Sequence, residues 1–251
     1  MESEEYRKHY EVERHHWWFQ GMQGVYGALL QRIVPPDRKG EPLRILDLGC
    51  GTGGTSRWLR QFGRVTPLDM SWEALEWAGK QVLTDRVQGA AEQLPFRSAA
   101  FDFVAGLGLI EHIKEDGVAL QEMARVCRPG GWLLLLTSAY QFLWSHHDRA
   151  NRHCRRYTAD RLRRLVSNVA WEPCYISYVN TLLFPAVAAI RVAQRVTGWD
   201  RWQTASDLAR PDPFVNAICR RLLLAEAWWL RQGTLPFGVS LVCIAKRSVD
   251  V

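Results

Sequence analysis

The stretch Ile45-Leu46-Asp47-Leu48-Gly49-Cys50-Gly51-Thr52-Gly53-Gly54 decides the fold of this chain. Leu43 to Leu48 is an apolar run of strand length, and it enters four glycines in six residues. A helical pattern, Thr55–Phe62, follows. Glycines at such a turn permit positive φ and close approach of a ligand to the backbone, while the next helix offers free N–H donors. Gly49, Gly51 and Gly54 satisfy G-x-G-x-x-G, and Asp69 closes the next apolar run twenty residues after Gly49. A carboxylate there suits the two ribose hydroxyls of an adenosine. Asp47 would repel a pyrophosphate but suits the ammonium of an amino-acid ligand, which weighs against a nicotinamide dinucleotide without dismissing it.

Working outward, the pattern alternates. Val65–Leu68 reads as a strand, and Ser71 as the cap of a helix bearing Trp72, Leu75, Trp77 and Ala78. Val87 marks a short strand, Phe101–Leu107 a longer one, Lys114–Val126 a helix, and Trp132–Thr137 an apolar strand. Strands alternating with helices of this length predict βαβ units. The expected fold is therefore α/β, a doubly wound (Rossmann-like) seven-stranded sheet with N-terminal helices. Thr158–Val169 reads as an amphipathic helix, and Trp171–Tyr178 and Val239–Lys246 as the last two strands. A helical cap, 180–231, is inserted between those two. Residues 1–40 are expected to form an N-terminal helical lid ended by Pro35-Pro36-Asp37, and 41–251 the main domain.

The segment ILDLGCGTG resembles the first motif of the class I S-adenosylmethionine-dependent methyltransferases. The resemblance continues through Leu68-Asp69-Met70-Ser71 and Ala91-Glu92-Gln93-Leu94-Pro95-Phe96. It extends to Phe101-Asp102-Phe103-Val104 with Glu111-His112-Ile113, and to Val126-Cys127-Arg128-Pro129-Gly130-Gly131. These motifs cover residues 43–137 in the family's order. The flanks, His16-Trp17-Trp18-Phe19, Trp144–Asp148, Arg155–Thr158 and Leu235–Val239, are similar to a bacterial, type 11-like subgroup. The resemblance implies S-adenosyl-L-methionine as cofactor. It implies that Asp47, Gly49, Cys50, Gly51 and Gly53 hold its methionine part, that Asp69 binds the ribose, and that Met70 packs beside the adenine. It places Ala91 and Glu92 along the adenine edge and Leu107 under the cofactor's centre. The chain departs from the pattern at Ala90, where the family commonly has an aspartate for the adenine amino group.

Methyl transfer is an in-line displacement, and the enzyme must orient the nucleophile and accept its proton. His146, His147, Asp148, His153 and Tyr157 follow the fifth strand, where doubly wound folds place their sites. Among them His147, Asp148, His153 and Tyr157 are the candidate catalytic residues; a surface loop whose histidines merely cap helices is the plainer alternative. His147, Asp148 and His153 also have metal-ligand chemistry, but methyl transfer calls for no metal and none is expected. Glu111-His112 is expected to brace the turn after the fourth strand. Trp18, with His15, His16 and Trp17, is placed for a lid whose aromatic faces attract a sulfonium; a helix packed on the sheet edge fits equally.

The chain has 251 residues and a formal net charge of +6, which favours an anionic partner. Arg149, Arg152, Arg155, Arg156, Arg161, Arg163 and Arg164 crowd one stretch, either a solvated face or an anion contact. The six cysteines are scattered and read as reduced thiols. No secretory leader is read at the N-terminus, and the apolar run 181–190 is half a bilayer span. The expected location is the cytoplasm, with peripheral membrane contact allowed. In the cap, Leu182, Leu183, Phe184, Val187 and Ile190, then Val215, Ile218, Leu222 and Trp229, are punctuated by Arg191, Arg195, Arg210, Arg220 and Arg221. That mixture suits a small lipophilic or anionic acceptor (a lipid, isoprenoid or secondary metabolite), a membrane surface, or a homodimer interface. No nucleic acid partner is expected, because no RNA-binding module or N-P-P-Y motif is present; RNA methylation and a non-enzymatic scaffold are the alternatives.

Overall fold

The computed structural model describes residues 3–33, 41–81, 84–197 and 211–249. Two helices open the chain, α1 (Ser3–Val12) and α2 (Trp17–Ile33). There follow β1 (Leu43–Leu48), α3 (Gly54–Leu59), β2 (Gly63–Asp69), α4 (Trp72–Gly79), β3 (Val87–Gln88) and β4 (Phe101–Leu107). Then come α5 (Asp116–Val126), β5 (Cys127–Ser138), α6 (His146–Ala150), α7 (Ala159–Ser167) and β6 (Trp171–Val179). The chain ends with α8 (Phe184–Thr197), α9 (Pro213–Leu230) and β7 (Ser240–Arg247). The expected terminator Pro35-Pro36-Asp37 and the cap residue Arg210 lie outside the described residues.

The seven strands form one sheet in the order β3-β2-β1-β4-β5-β7-β6. Strands β1 to β5 pair in parallel, whereas β7 runs antiparallel to both β5 and β6. Because strand order reverses beside β1, a crevice opens at the carboxyl ends of β1 and β4, where such folds bind ligands.

Side chains of the central strands alternate strictly between the two faces. Leu46, Leu48, Val104, Leu133 and Leu135 pack with Leu120, Met123, Val166 and Trp171 on one side. Ile45, Phe103, Ala105, Leu134 and Leu136 meet Val25, Leu29, Leu223 and Leu230 on the other. Each large apolar side chain fully buried this way stabilises the fold by about 1.5–3 kcal/mol, so the sheet is held from both faces.

The expected N-terminal lid and inserted cap are divided differently by packing. Helix α2 and the second half of α9 form one layer over the sheet. They approach so closely that a Cβ on Gly21 would stand 2.6 Å from the Leu223 side chain. Leu223, Ala227 and Leu230 are buried in this layer, so α9 is half core, half projection. Helix α8, by contrast, buries no residue. Among the described residues no helix is long and apolar enough to cross a membrane.

Two caps read from the sequence are present. Ser71 accepts a hydrogen bond from the Ala74 N–H, and Thr158 from the Arg161 N–H. Strand β5 begins at Cys127, earlier than expected, because the Arg128–Gly131 segment continues as strand with Gly130 at φ 72°.

Candidate active site

The carboxyl end of β1 runs into three left-handed residues, Gly49, Gly51 and Gly53, with φ of 75°, 53° and 85°. This geometry is costly for any residue with a Cβ. At Gly49 there is a second reason for glycine, since a Cβ there would meet Leu109 Cδ1 at 2.8 Å. The turn after β4 therefore lies directly against the glycine loop. The N–H groups of Gly49 and Cys50 both donate to the Leu68 carbonyl, at 2.8 and 3.0 Å, fixing the loop to the end of β2.

Asp69 faces this loop. Its Oδ2 accepts from the Gly51 N–H and its Oδ1 from the Ser71 N–H, both at 2.9 Å. The carboxylate is partly exposed and held between two backbone donors, with further lone pairs for a diol. Asp47 is buried, accepts the Ser56 hydroxyl on Oδ2, and has its pKa pushed up to about 6, chiefly by burial with the Asp69 charge adding. Met70 is 75% exposed beside Asp69, and Gln88 donates to its carbonyl. Ala91 is buried and Glu92 exposed in the turn after β3. Leu107 stands at the end of β4 and packs toward the α2 side of the sheet, whereas Leu109 packs toward the other.

The N-terminal contact to the loop is one that the sequence did not disclose. Glu13, buried between α1 and α2, accepts the Thr52 hydroxyl at 2.7 Å and the Gln81 amide. Burial raises its pKa. Tyr6 and Ser71 share a hydroxyl hydrogen bond, which sets α1 beside Asp69. Trp18 instead packs against the α2–α9 cluster, stacked edge-on with Trp17. His16 is buried and accepts from the Trp18 N–H at 3.2 Å. A lone glutamate in a polar, aromatic stretch carries no spacing signal, so only tertiary packing identifies it.

The loop after β5 brings the four candidate catalytic residues together in unequal roles. Asp148 is fully buried. It receives Arg156 Nε and Nη2 at 2.8 and 2.9 Å, the Ser145 N–H at 2.8 Å, and His153 Nδ1 at 2.8 Å. These donors outweigh its burial and hold its carboxyl well below the usual carboxylate range. Tyr157 is also fully buried. Its hydroxyl donates to Asp116 Oδ2 at 2.7 Å, and burial drives its pKa upward. Neither group is free to meet an acceptor. Both fasten the loop, Asp148 to Arg156 and Tyr157 to the start of α5.

Of the imidazoles, His112 lies at the surface, His147 is half-buried, and the His153 ring is buried against Asp148. His153 has its ring centroid 4.5 Å from His112 and 5.9 Å from His147. His112 keeps an exposed edge, yet desolvation of its ring lowers its pKa, with the His153 charge adding. Glu111 braces the turn as expected, accepting the Thr137 hydroxyl at 2.9 Å and Ser138 donors at 3.3 Å. Among the described residues no group of three or more His, Cys, Asp or Glu side chains could hold a metal ion; Asp148 is already committed to Arg156.

Beyond the loop lies an aromatic cluster. Tyr140, at φ 56°, stacks on Tyr178 at 5.0 Å and 9°. Phe142 and Phe184 close on Tyr140 at 5.3 and 5.8 Å, and Phe237 on Phe184 at 5.3 Å. Positive φ at a tyrosine is uncommon and marks a backbone held by its surroundings. Strands β5 and β6 both end here, at the same edge as the glycine loop.

Known proteins fit this arrangement. Residues 46–135 match the family described as a methyltransferase domain. Over 123 residues the chain is 37% identical to a malonyl-acyl-carrier protein O-methyltransferase of Pectobacterium atrosepticum, covering 48% of this chain and 47% of that protein. It is 28% identical over 184 residues to ajmaline N-methyltransferase of Rauvolfia serpentina, covering 69% and 60%. The chain thus spans about half the length of the first of these relatives and less than two thirds of the second. In fold it resembles a chain of the complex between the Haloferax volcanii Trm112 methyltransferase activator and a methyltransferase. There the TM-score is 0.59 at 20% identity, over 95% of this chain and 92% of that one.

Proposed function

We propose that this chain, which carries a class I S-adenosylmethionine-dependent methyltransferase domain, transfers the cofactor's methyl group to a small lipophilic acceptor bearing an anionic or ionisable group. The observation that carries this is Asp69, held by Gly51 and Ser71 across from three left-handed glycines, with Asp47 buried behind them. Asp69 takes the ribose diol, Asp47 the side of the cofactor's ammonium, and the glycine backbone the methionine part. Met70, Ala91 and Glu92 border the adenine, Cys50 and Leu107 flank the loop, and Trp18 packs into the α2–α9 layer. The bound cofactor supplies an activated methyl group on a sulfonium.

The chain's own residues do the remaining tasks. The Tyr140–Phe184–Phe237 cluster packs a flat or extended apolar acceptor at the sheet edge and keeps water from it. His112 removes a proton where the acceptor needs it, with the His153 ring against it and His147 against His153; Asp148 fixes His153 by accepting from Nδ1. The names of two relatives give as acceptors a malonyl group borne on an acyl-carrier protein and ajmaline. RNA is disfavoured by a specific observation. Arg156 is spent on Asp148, and Arg155 on Asp116 at 2.7 Å, so the arginine-rich stretch is partly structural.

The test is transfer of labelled methyl from S-adenosylmethionine to a panel of prenyl phosphates, acidic polyketides, fatty acyl carriers and RNA. Label in a lipophilic acceptor, lost in His112→Ala and with a shifted pH profile in Asp148→Asn, is the expected result. Label in RNA alone would overturn the acceptor, and cofactor binding without any transfer would favour a scaffold.

Asp47 gives this reading a pH signature. Its folded pKa of about 6 lies above the ordinary value, so below that pH the carboxyl is mostly protonated and does not attract an ammonium. Affinity for S-adenosylhomocysteine is expected to fall by up to about tenfold per pH unit below 6. Asp47→Asn should flatten that dependence, as calorimetry at several pH values will show.

A further inference from the structure

We propose that the outward faces of α8 and α9 dock this protein on an anionic lipid surface, lying in the interface of the bilayer without crossing it. Helix α8 is amphipathic in the reverse sense for a soluble protein. Its exposed side carries Ala186, Ala189, Ile190, Ala193 and Val196, the last 81% exposed. Arg191 and Gln194 lie on the half-buried side, and the exposed Arg195 at the rim reaches back with Nη2 to the Phe142 carbonyl at 2.9 Å. Helix α9 repeats the arrangement. Opposite its buried Leu223, Ala227 and Leu230, it exposes Phe214, Ile218, Trp228 and Trp229, with Phe214 at 73% and Trp228 at 61%. A helix packed only against its own protein turns such residues inward. Large apolar side chains left outside along a whole helix face mark an interaction site.

These faces are built rather than loose. Glu226, buried in α9, accepts the Asn180 N–H at 2.6 Å and the Leu182 N–H at 2.7 Å, tying the entrance of α8 to α9. Asn216 accepts the Trp17 N–H at 2.7 Å and donates to the His15 carbonyl at 2.9 Å, tying the start of α9 to α2.

Charge selects the occupant. Within residues 180–197 and 211–231 the basic groups are Arg191, Arg195, Arg220, Arg221 and Arg231, and the acids are Asp212 and the buried Glu226. Among the described residues, a second copy meeting this face across a two-fold axis would set arginine rim against arginine rim with almost no acid to pair. An anionic headgroup layer meets the same rim favourably, and indoles such as Trp228 and Trp229 sit well at the boundary of apolar chains and water. The start of α8 is also part of the acceptor-edge cluster, Phe184 lying 5.8 Å from Tyr140. A lipophilic acceptor held in the bilayer would therefore reach the site directly. This deepens the acceptor reading above, but the surface is tested without it.

The experiment is co-sedimentation of the intact protein with vesicles of phosphatidylcholine alone and of phosphatidylcholine mixed with phosphatidylglycerol, in low and high salt. Binding to the mixed vesicles, weakened by salt and reduced at least tenfold in Ile190→Glu/Val196→Glu and in Trp228→Ser/Trp229→Ser, is expected. These exposed substitutions should leave S-adenosylhomocysteine binding unchanged, which separates loss of docking from loss of fold or of the methyltransferase site. No binding to anionic vesicles, or binding indifferent to both double variants, overturns the proposal. Light scattering that shows a dimer dissociated by the same variants also overturns it, by assigning the faces to a second copy.

Discussion

Asp69→Ala is expected to weaken binding of S-adenosylmethionine and S-adenosylhomocysteine by about 100-fold or more, measured by calorimetric titration against the wild type. The magnitude follows from what the carboxylate is placed to do. A hydrogen bond to a charged acceptor is worth about 1.5–3 kcal/mol, and a diol makes two of them. A tenfold change in affinity corresponds to roughly 1.4 kcal/mol, so losing both bonds costs at least two decades. Asp69 also receives the Gly51 and Ser71 N–H groups, so alanine frees the loop as well as removing the ribose contact. Asp69→Asn keeps acceptors for those backbone donors at reduced strength. It should fall between wild type and alanine, with an unchanged circular dichroism spectrum. NADH titrated in parallel should not bind. Equal affinity of wild type and alanine variant for the adenosyl ligands would remove Asp69 from the cofactor site. Binding of NADH alone would return the dinucleotide reading of the glycine loop.

The glycine loop and the strands around it were legible because their constraints are local. Leu43–Leu48 and Phe101–Leu107 are strands with the expected bounds. Both are apolar runs buried on two faces and bounded by turn residues, which leaves little choice of element. Ser71 and Thr158 were readable as caps because a hydroxyl before a helical pattern satisfies an otherwise orphaned N–H.

The roles around the acceptor were less legible, because they depend on partners distant in sequence. Asp148 and Tyr157 have the residue types of catalytic groups, yet Arg156 and Asp116 consume their polar atoms. Nothing in the spacing of the histidines reveals that. Glu13 reaches Thr52 across 39 positions and Gln81 across 68, so no window of sequence contains the contact. The 180–231 segment shows a different limit. Its apolar periodicity points to helices, and helices are found at Phe184–Thr197 and Pro213–Leu230, but periodicity alone cannot tell which face turns inward. On α9 the core-facing stripe is Leu223, Ala227 and Leu230, while on α8 the apolar stripe faces out.

Arg156→Ala is expected to destabilise the fold by about 3–5 kcal/mol, the range for removing one partner of a buried ion pair. The loss is large because Asp148 would be left ionised, fully buried, and without its two guanidinium donors. For a chain of this size each kcal/mol moves the melting temperature by roughly 2–4 °C, so a fall of about 10 °C is the result to look for by calorimetry. Asp148→Ala should cost a similar amount, and the double variant less than the sum, since each single change strands a charge that the double change removes. The pH dependence has a definite sign. Asp148 has a folded pKa depressed below its ordinary value. The stabilisation it gives is therefore present above the ordinary carboxylate pKa of about 4 and is lost as pH falls through the depressed folded value. Wild type should thus lose stability steeply only in acid below about pH 4, whereas Arg156→Ala should be unstable already at neutral pH and show a shallower further loss in acid. A cost near zero for Arg156→Ala would mean the pair is replaced by water or a neighbouring cation. It would also release Asp148 from its structural role and return it to consideration as a group that acts on the acceptor. A large loss, with His112→Ala still folded, would assign the ion pair to holding the loop in place and leave the exposed His112 as the group to test against the acceptor.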